Sequence, residues 1–468
     1  MRFCMLIPAI FLLLPSVAFA QQRWERTYGG SSYDMGYFAQ QTTGGGYIVT
    51  GTTHSLGDND QVYLIKTDAS GDTLWTRTYG GAGVEYGFSV QQTTGGYIIV
   101  GYTMSFGAGI EDVYLIKTGA SGETLWTRTY GGASYDVGNS IQQTMDGGYI
   151  VAGTTTSFED SAQAYLIKTD ANGDTVWTRT YGWAGYDYGY SVQQTTDSGY
   201  IVAGSTLSFG TNYEAYLIKT DASGDTLWTR TYGGPNHDPV YSVQQTTDGG
   251  YIAAGQTNSF GNSIQYYLIK TNAVGDTLWT RTYGGTSDEA GYFVRQTADG
   301  GYVVTGSSNS FGNARQVYLV KTNSNGDTLW TRTYGGTSID VGYCVQQTAD
   351  LGYVVTGWTT SFGNLEQVYL VKTDAAGSVG VEERPKAEAR VANSSATVVR
   401  GVLFLEGDCP RTGTVPKAAL LDISGRKVLD LHPGANDVSH LAPGVYFARS
   451  AAGAERQVPG LNKIVIMR

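Results

Sequence analysis

Cysteine is scarce in this chain: 468 residues contain three. Cys4 falls within an apolar leader, which leaves Cys344 and Cys409 in different parts of the sequence, so no disulfide framework is expected. Histidine is equally rare. His54, His237, His432 and His440 share no common position. No Ser-His-Asp arrangement, zinc-ligand spacing or phosphate-cradling glycine motif stands out, so no catalytic residue, metal or cofactor is expected. Charge is sparse too, at 15% of residues, with a net of −11 that becomes more negative once Arg2 is removed. An acidic chain argues against nucleic acid and anionic membrane surfaces as partners. Helical periodicity is missing from the long central region. Beyond the leader, no apolar run is long enough to cross a bilayer.

The leader, residues 1–20, has its own character. Arg2 gives a short positive start, Met5 to Leu14 is almost wholly apolar, and Ala18-Phe19-Ala20 offers small residues before Gln21. This pattern predicts a cleaved secretory signal peptide; a retained anchor is the alternative, disfavoured by the shortness of the run.

What the chain has in abundance is glycine (65) and tyrosine (35). They recur in a strict order. Trp24, Trp75, Trp126, Trp177, Trp228, Trp279 and Trp330 stand 51 residues apart, mostly within Trp-Thr-Arg-Thr-Tyr-Gly-Gly. The same step relates Tyr63 through to Tyr369, Lys66 to Lys372 and Gly71 to Gly377. Each unit reads as four short strands, exemplified by Trp228–Tyr232, Tyr241–Thr246, Tyr251–Gly255 and Tyr267–Thr271, with Gly, Asp and Asn between them. Unit two loses a residue before Tyr97 and regains it before Tyr114, so unit length is under geometric constraint.

Seven such units predict an all-β fold, a seven-bladed β-propeller with four-stranded blades over residues 21–378. The chain opens on a Trp strand, and its last unit lacks one: Val381 stands in the place. Strand numbers balance only if Arg23–Tyr28 joins the last blade, closing the ring and removing two sheet edges. The tryptophans are expected in the gaps between blades, each burying about 150–250 Å². Arg26 and its repeats should pair with an acid or stack on aromatics.

An acid follows each Trp strand: Asp34, Glu85, Asp136, Asp187, Asp238, Glu289 and Asp340. Cation or ligand capture is one reading of this circle. Local bonding within a Gly-rich loop is the preferred one, because binding sites rarely repeat in every unit. Asp170–Asp174 superficially resembles a calcium loop but lacks its Gly and distant Glu, and reads as a hairpin turn. Cys344 lies inside a strand and reads as a small buried residue. The acid loop and the Ser-Phe-Gly-Asn loop should share one face, where the units differ most. That face offers Tyr33, His54, Tyr135, Trp183, Tyr186, Tyr213 and His237 as candidate ligand contacts.

The motifs Asp-Gly-Gly-Tyr-Ile-Ala-Ala-Gly (248–255) and Tyr-Leu-Ile-Lys-Thr-Asp-Ala-x-Gly-Asp-Thr-Leu-Trp (216–228) resemble bacterial secreted beta-propeller repeat proteins. That resemblance implies the fold and no single activity. Residues 379–398 form a charged, Ala-rich linker, and 399–468 return to short strands. This tail resembles the type A C-terminal sorting domain of the type IX secretion system. The resemblance rests on Gly425 and Arg426 in an Asp-x-x-Gly-Arg turn, Gly444 and Tyr446 in Leu-x-x-Gly-x-Tyr, and Lys463 before a final apolar strand. It implies a small Ig-like β-sandwich, an encounter with the type IX machinery, and a secreted or outer-surface location. An Asn-Pro opening is absent; Asn393-Ser394-Ser395 stands there. The expectation is an exported, non-catalytic, monomeric scaffold binding an extracellular glycan or protein. The alternative is a propeller hydrolase or lyase acting on polysaccharide through the ring acids.

Overall fold

The computed structural model describes residues 23–380 apart from 313 and 364, and, beyond them, residues 397–399, 402–405, 418–421, 426–431, 434–437, 441, 444–450 and 462–466. The predicted signal peptide and nearly all of the linker lie outside these residues. By contacts the chain divides into two units, Met1–Val381 and Glu382–Arg468.

The first unit is a seven-bladed propeller of seven four-stranded antiparallel sheets. One blade consists of Asp34–Gln41, Tyr47–Thr53, Gln61–Thr67 and Thr73–Tyr79, from the innermost strand outward. The model repeat is observed as Thr226–Tyr232, Val240–Gln245, Tyr251–Thr257 and Gln265–Thr271, a little longer at most ends than the sequence reading. Closure follows the predicted scheme. Trp24–Tyr28 is the outer strand of the blade built from Asp340–Gln347, Tyr353–Thr359 and Gln367–Thr373, in register from Trp24↔Lys372 to Tyr28↔Val368.

The second and third strands of each blade are almost wholly buried, which suits their Tyr, Ile, Val and Leu content. The outer strand is different. Trp24 is 3% exposed, but the other six tryptophans are only half-buried, so they do not fill the gaps equally. They stand on the rim, with one face packed on the next blade. Trp177 meets Tyr200 edge-on at 5.8 Å, and Trp24 meets Tyr47 at 5.5 Å. The repeated arginine lies over its own Trp, as Arg179 does over Trp177 at 5.6 Å, and four of these arginines also reach an acid, Arg26–Asp72, Arg128–Asp174, Arg179–Asp225 and Arg281–Asp327. The tyrosine of the same strand bolts neighbouring blades together. Tyr28 donates its hydroxyl to the Gly71 carbonyl at 2.7 Å, and the six equivalent tyrosines repeat the bond. Gly71 holds φ +80 directly under the Trp24 ring, which leaves no room for a side chain.

The repeated lysine is buried and needs a partner. In five blades an aspartate from the turn between the first two strands supplies it, each pair at 2.9 Å: Lys168–Asp146, Lys219–Asp197, Lys270–Asp248, Lys321–Asp299 and Lys372–Asp350. The first two blades lack that acid. Lys66 and Lys117 bond only the carbonyls of Thr67 and Thr118, and burial lowers the pKa of both.

The second unit holds a five-stranded sheet made of Thr397–Val399, Asn462–Ile466, Gly444–Ser450, Ala418–Leu421 and Lys427–Leu431, in that order. Val402–Leu405 and Gly434–Asp437 form a separate pair. Gly444 and Tyr446 lie in one strand and Lys463 in its neighbour, where Tyr446 pairs with Ile464 and Phe447 with Lys463. Arg426 is exposed; Gly425 lies outside the described residues.

Candidate functional site

The seven innermost strands enclose a channel, and a shared irregularity decides what lines it. Each carries a β-bulge at one position, from Gly36/Phe38 in the first blade to Gly342/Cys344 in the last. A bulge sets two residues against one on the partner strand and breaks the two-residue alternation. Here it turns two successive side chains toward the channel. The partner strand must come very close at this point: a Cβ on Gly51 would sit 1.8 Å from the Met35 carbonyl oxygen.

The first of the two bulge residues forms a collar: Tyr37, Phe88, Asn139, Tyr190, Tyr241, Tyr292 and Tyr343. All are half-buried. Ring centroids run Phe88–Tyr37 at 5.1 Å, Tyr37–Tyr343 at 5.4 Å, Tyr343–Tyr292 at 5.2 Å, Tyr292–Tyr241 at 5.6 Å and Tyr241–Tyr190 at 5.3 Å. Asn139 interrupts this circuit and donates its side-chain amide to the Gly189 carbonyl at 2.8 Å. The collar bounds a cavity of about 350 Å³. A second cavity, of about 150 Å³, adjoins it along Phe38, Ser89, Ser140, Ser191 and Phe293.

Two of the expected loop residues connect with the collar. Tyr190 stacks on Tyr188 at 6.0 Å, Tyr188 meets Tyr213 at 5.9 Å, and Tyr213 meets His237 at 5.7 Å. The collar therefore opens toward the loop face. Trp183, Tyr186 and Tyr135 are exposed on that face at 76%, 51% and 46%. Tyr33 stacks on His54 at 4.8 Å, and His54 Nδ1 lies 2.9 Å from Asp60.

The seven ring acids are placed otherwise: Asp34, Glu85, Asp136, Asp187, Asp238 and Asp340 are 0% exposed, and Glu289 1%. All but Asp238 open an inner strand rather than lying in the loop before it. Their oxygens are spent on their own surroundings. Asp187 Oδ2 accepts from the Trp183 amide at 3.0 Å and the Ser208 hydroxyl at 2.6 Å, while Thr206 donates to Oδ1. Asp34 accepts from Gly30 N and Ser55 Oγ, which ties the acid loop to the Ser-containing loop on one face. Among the described residues, no three His, Cys, Asp or Glu side chains are grouped to hold a metal. The carboxylate of Asp170 accepts from the Asn172 and Asp174 amides, as a hairpin turn requires. Cys344 is 1% exposed, and burial pushes its thiol up to about 11, away from thiolate chemistry at neutral pH.

The collar and the residues below it escaped the sequence reading, which looked for variable loops. The signal was present in the 51-residue alignment: one position aromatic in six units of seven, and another with Gln in six units and Arg295 in the seventh.

Together the fold and the channel define a closed propeller with an aromatic-lined mouth. No family model and no curated protein matches the chain. The Neurospora crassa Pan2 WD40 domain is similar at 10% identity and a TM-score of 0.46, covering 76% of this chain and 96% of that one. Puromycin hydrolase, as an S511A mutant complexed with PGG, is similar at 11% identity and 0.48, covering 90% and 58%. The extracellular domain of the putative hybrid two-component system BT3049 from B. thetaiotaomicron is similar at 9% and 0.42, covering 94% and 57%. Likenesses this distant say nothing of activity. Among the described residues, no helix is long and apolar enough to cross a membrane.

Proposed function

We propose that this chain is an exported, non-catalytic β-propeller, secreted or held at the outer cell surface, which binds an extracellular glycan at the channel mouth on its loop face. The observation behind this reading is the aromatic collar, with its extension through Tyr188 and Tyr213 to His237. Aromatic faces on a rigid scaffold offer contact area at little entropic cost, and phenol hydroxyls supply polar contacts for sugar hydroxyls. A protein ligand would use the same surface through exposed Trp183 and Tyr186. The alternative hydrolase or lyase needs accessible carboxylates, and the ring acids are closed off by their own hydrogen bonds. Export rests on the leader, and delivery through the type IX machinery rests on the tail motifs at residues 425–463, read as a small sandwich domain. A glycan array run beside a hydrolysis screen tests the binding role. The expected result is binding without turnover, lost in Tyr241→Ala and reduced in Trp183→Ala or Tyr186→Ala. Polysaccharide turnover abolished by Asp187→Asn would overturn it. The mass of the secreted form tests whether the leader and the tail are removed.

A further inference from the structure

Below the collar the channel is lined by a second ring at equivalent positions: Gln40, Gln91, Gln142, Gln193, Gln244, Arg295 and Gln346. The orientation of the glutamines is fixed by one repeated bond. The side-chain oxygen of Gln40 accepts the backbone N–H of Gln92 at 2.8 Å. Gln91, Gln142, Gln193 and Gln244 do the same for the next blade, at 2.5–2.7 Å. An N–H bonds only to the oxygen end of a carboxamide, so five NH₂ groups are left toward the channel without an acceptor among the described residues. Ser140 and Ser191 likewise spend their oxygens on the Val192 and Val243 amides and keep their hydroxyl protons. The lining is thus rich in donors and poor in acceptors.

Arg295 adds the one charge. Its guanidinium lies over the Phe293 ring at 4.5 Å, and no carboxylate among the described residues pairs with it. The ionisable group beside it is the Cys344 thiol, neutral at pH 7. A cation held within protein without a counter-ion is costly unless something else supplies the negative charge.

We propose that the channel is an anion site, and that its ligand is a sugar carrying a carboxylate, a hexuronate residue. The sugar ring occupies the collar and the carboxylate points down to Arg295 and the glutamine amides. The planar guanidinium suits a carboxylate in two-point contact, and the amide donors complete the oxyanion's remaining lone pairs. This deepens the glycan reading above and rests on it.

The test is titration calorimetry of the full-length chain with a short oligogalacturonide, with a neutral glucose oligomer of equal length, and with sodium acetate alone. The expected order is oligogalacturonide well above both controls. Arg295→Gln, which installs the residue of the other six blades and is expected to fold, should weaken oligogalacturonide binding tenfold or more and leave the neutral oligomer unchanged. Arg295→Lys should recover part of the loss. Equal oligogalacturonide affinity in wild type and Arg295→Gln, with both melting alike, would overturn the anion site. Neutral oligomers binding as tightly as charged ones, with loss only in Tyr241→Ala, would overturn it while leaving the glycan reading standing. No binding of either oligomer would sink both.

Discussion

Replacing Gly44 by Asp should stabilise the propeller, because it completes an ion pair that the first blade lacks. Gly44 occupies the position of Asp146 in the third blade, two residues after the Thr and one before a positive-φ Gly in both. A Cβ at Gly44 would meet nothing within 4 Å, and its φ is outside the left-handed region. In the third blade Asp146 accepts from Thr144, from the Gly148 amide and from Lys168, and these bonds lower its pKa from 3.8 to about 2 against an opposing effect of burial. At face value that drop corresponds to about 2.4 kcal/mol. The Asp146 side chain is 63% exposed, so solvent screening brings the contribution to about 1 kcal/mol. Restricting a glycine in the unfolded chain adds roughly 0.5 kcal/mol. For a propeller of this size the sum means a rise in Tm of about 2–3 °C. The measurement is thermal unfolding of Gly44→Asp against the parent, each with and without Lys66→Met. The sign with pH follows from a carboxyl whose pKa falls on folding. The gain is complete above about pH 4–5 and disappears as pH drops through about 2. A neutral or destabilising Gly44→Asp at pH 7, or a gain that persists in full with Lys66→Met, would refute the reasoning.

Other outcomes follow from the same geometry. Trp24→Ala should cost about 3–5 kcal/mol, clearly more than Trp177→Ala, since Trp24 is fully packed and Trp177 stands half-exposed on the rim; denaturant midpoints compare them. Asp187→Ala strips the partners from Trp183 N, Ser208 and Thr206 and should cost about 2–3 kcal/mol, read by chemical denaturation, with protease cleavage appearing near Trp183. Tyr232→Phe removes one interblade bond to Gly275 and should cost about 1 kcal/mol in the same assay.

The architecture was largely legible because one blade corresponds to one 51-residue step, and counting Trp strands against the others exposed the opening strand as the missing piece of the last blade. Local chemistry was legible where it stayed within a unit, as with the stacked arginines and the acid loop. The channel was not. Two-residue alternation sends Tyr241 and Ser242 to opposite faces of a strand, whereas the bulge at Val240/Ser242 breaks that alternation. The Lys–Asp pairs escaped for a different reason: their members lie 22 residues apart on separate strands and meet only through the sheet. The rim position of the tryptophans was misjudged because a one-sided strand pattern says which face is packed, not how far the strand stands from the axis.

The channel, the collar and Arg295 exist as a site only if the opening strand closes the ring. Hydrogen exchange followed by mass spectrometry measures this directly. In a closed ring, the amides of Trp24–Tyr28 that pair with Val368–Lys372 exchange as slowly as those of Gln367–Thr373, opening only with the whole propeller. Full, rapid exchange across Trp24–Tyr28 while Gln367–Thr373 stays protected would contradict the account.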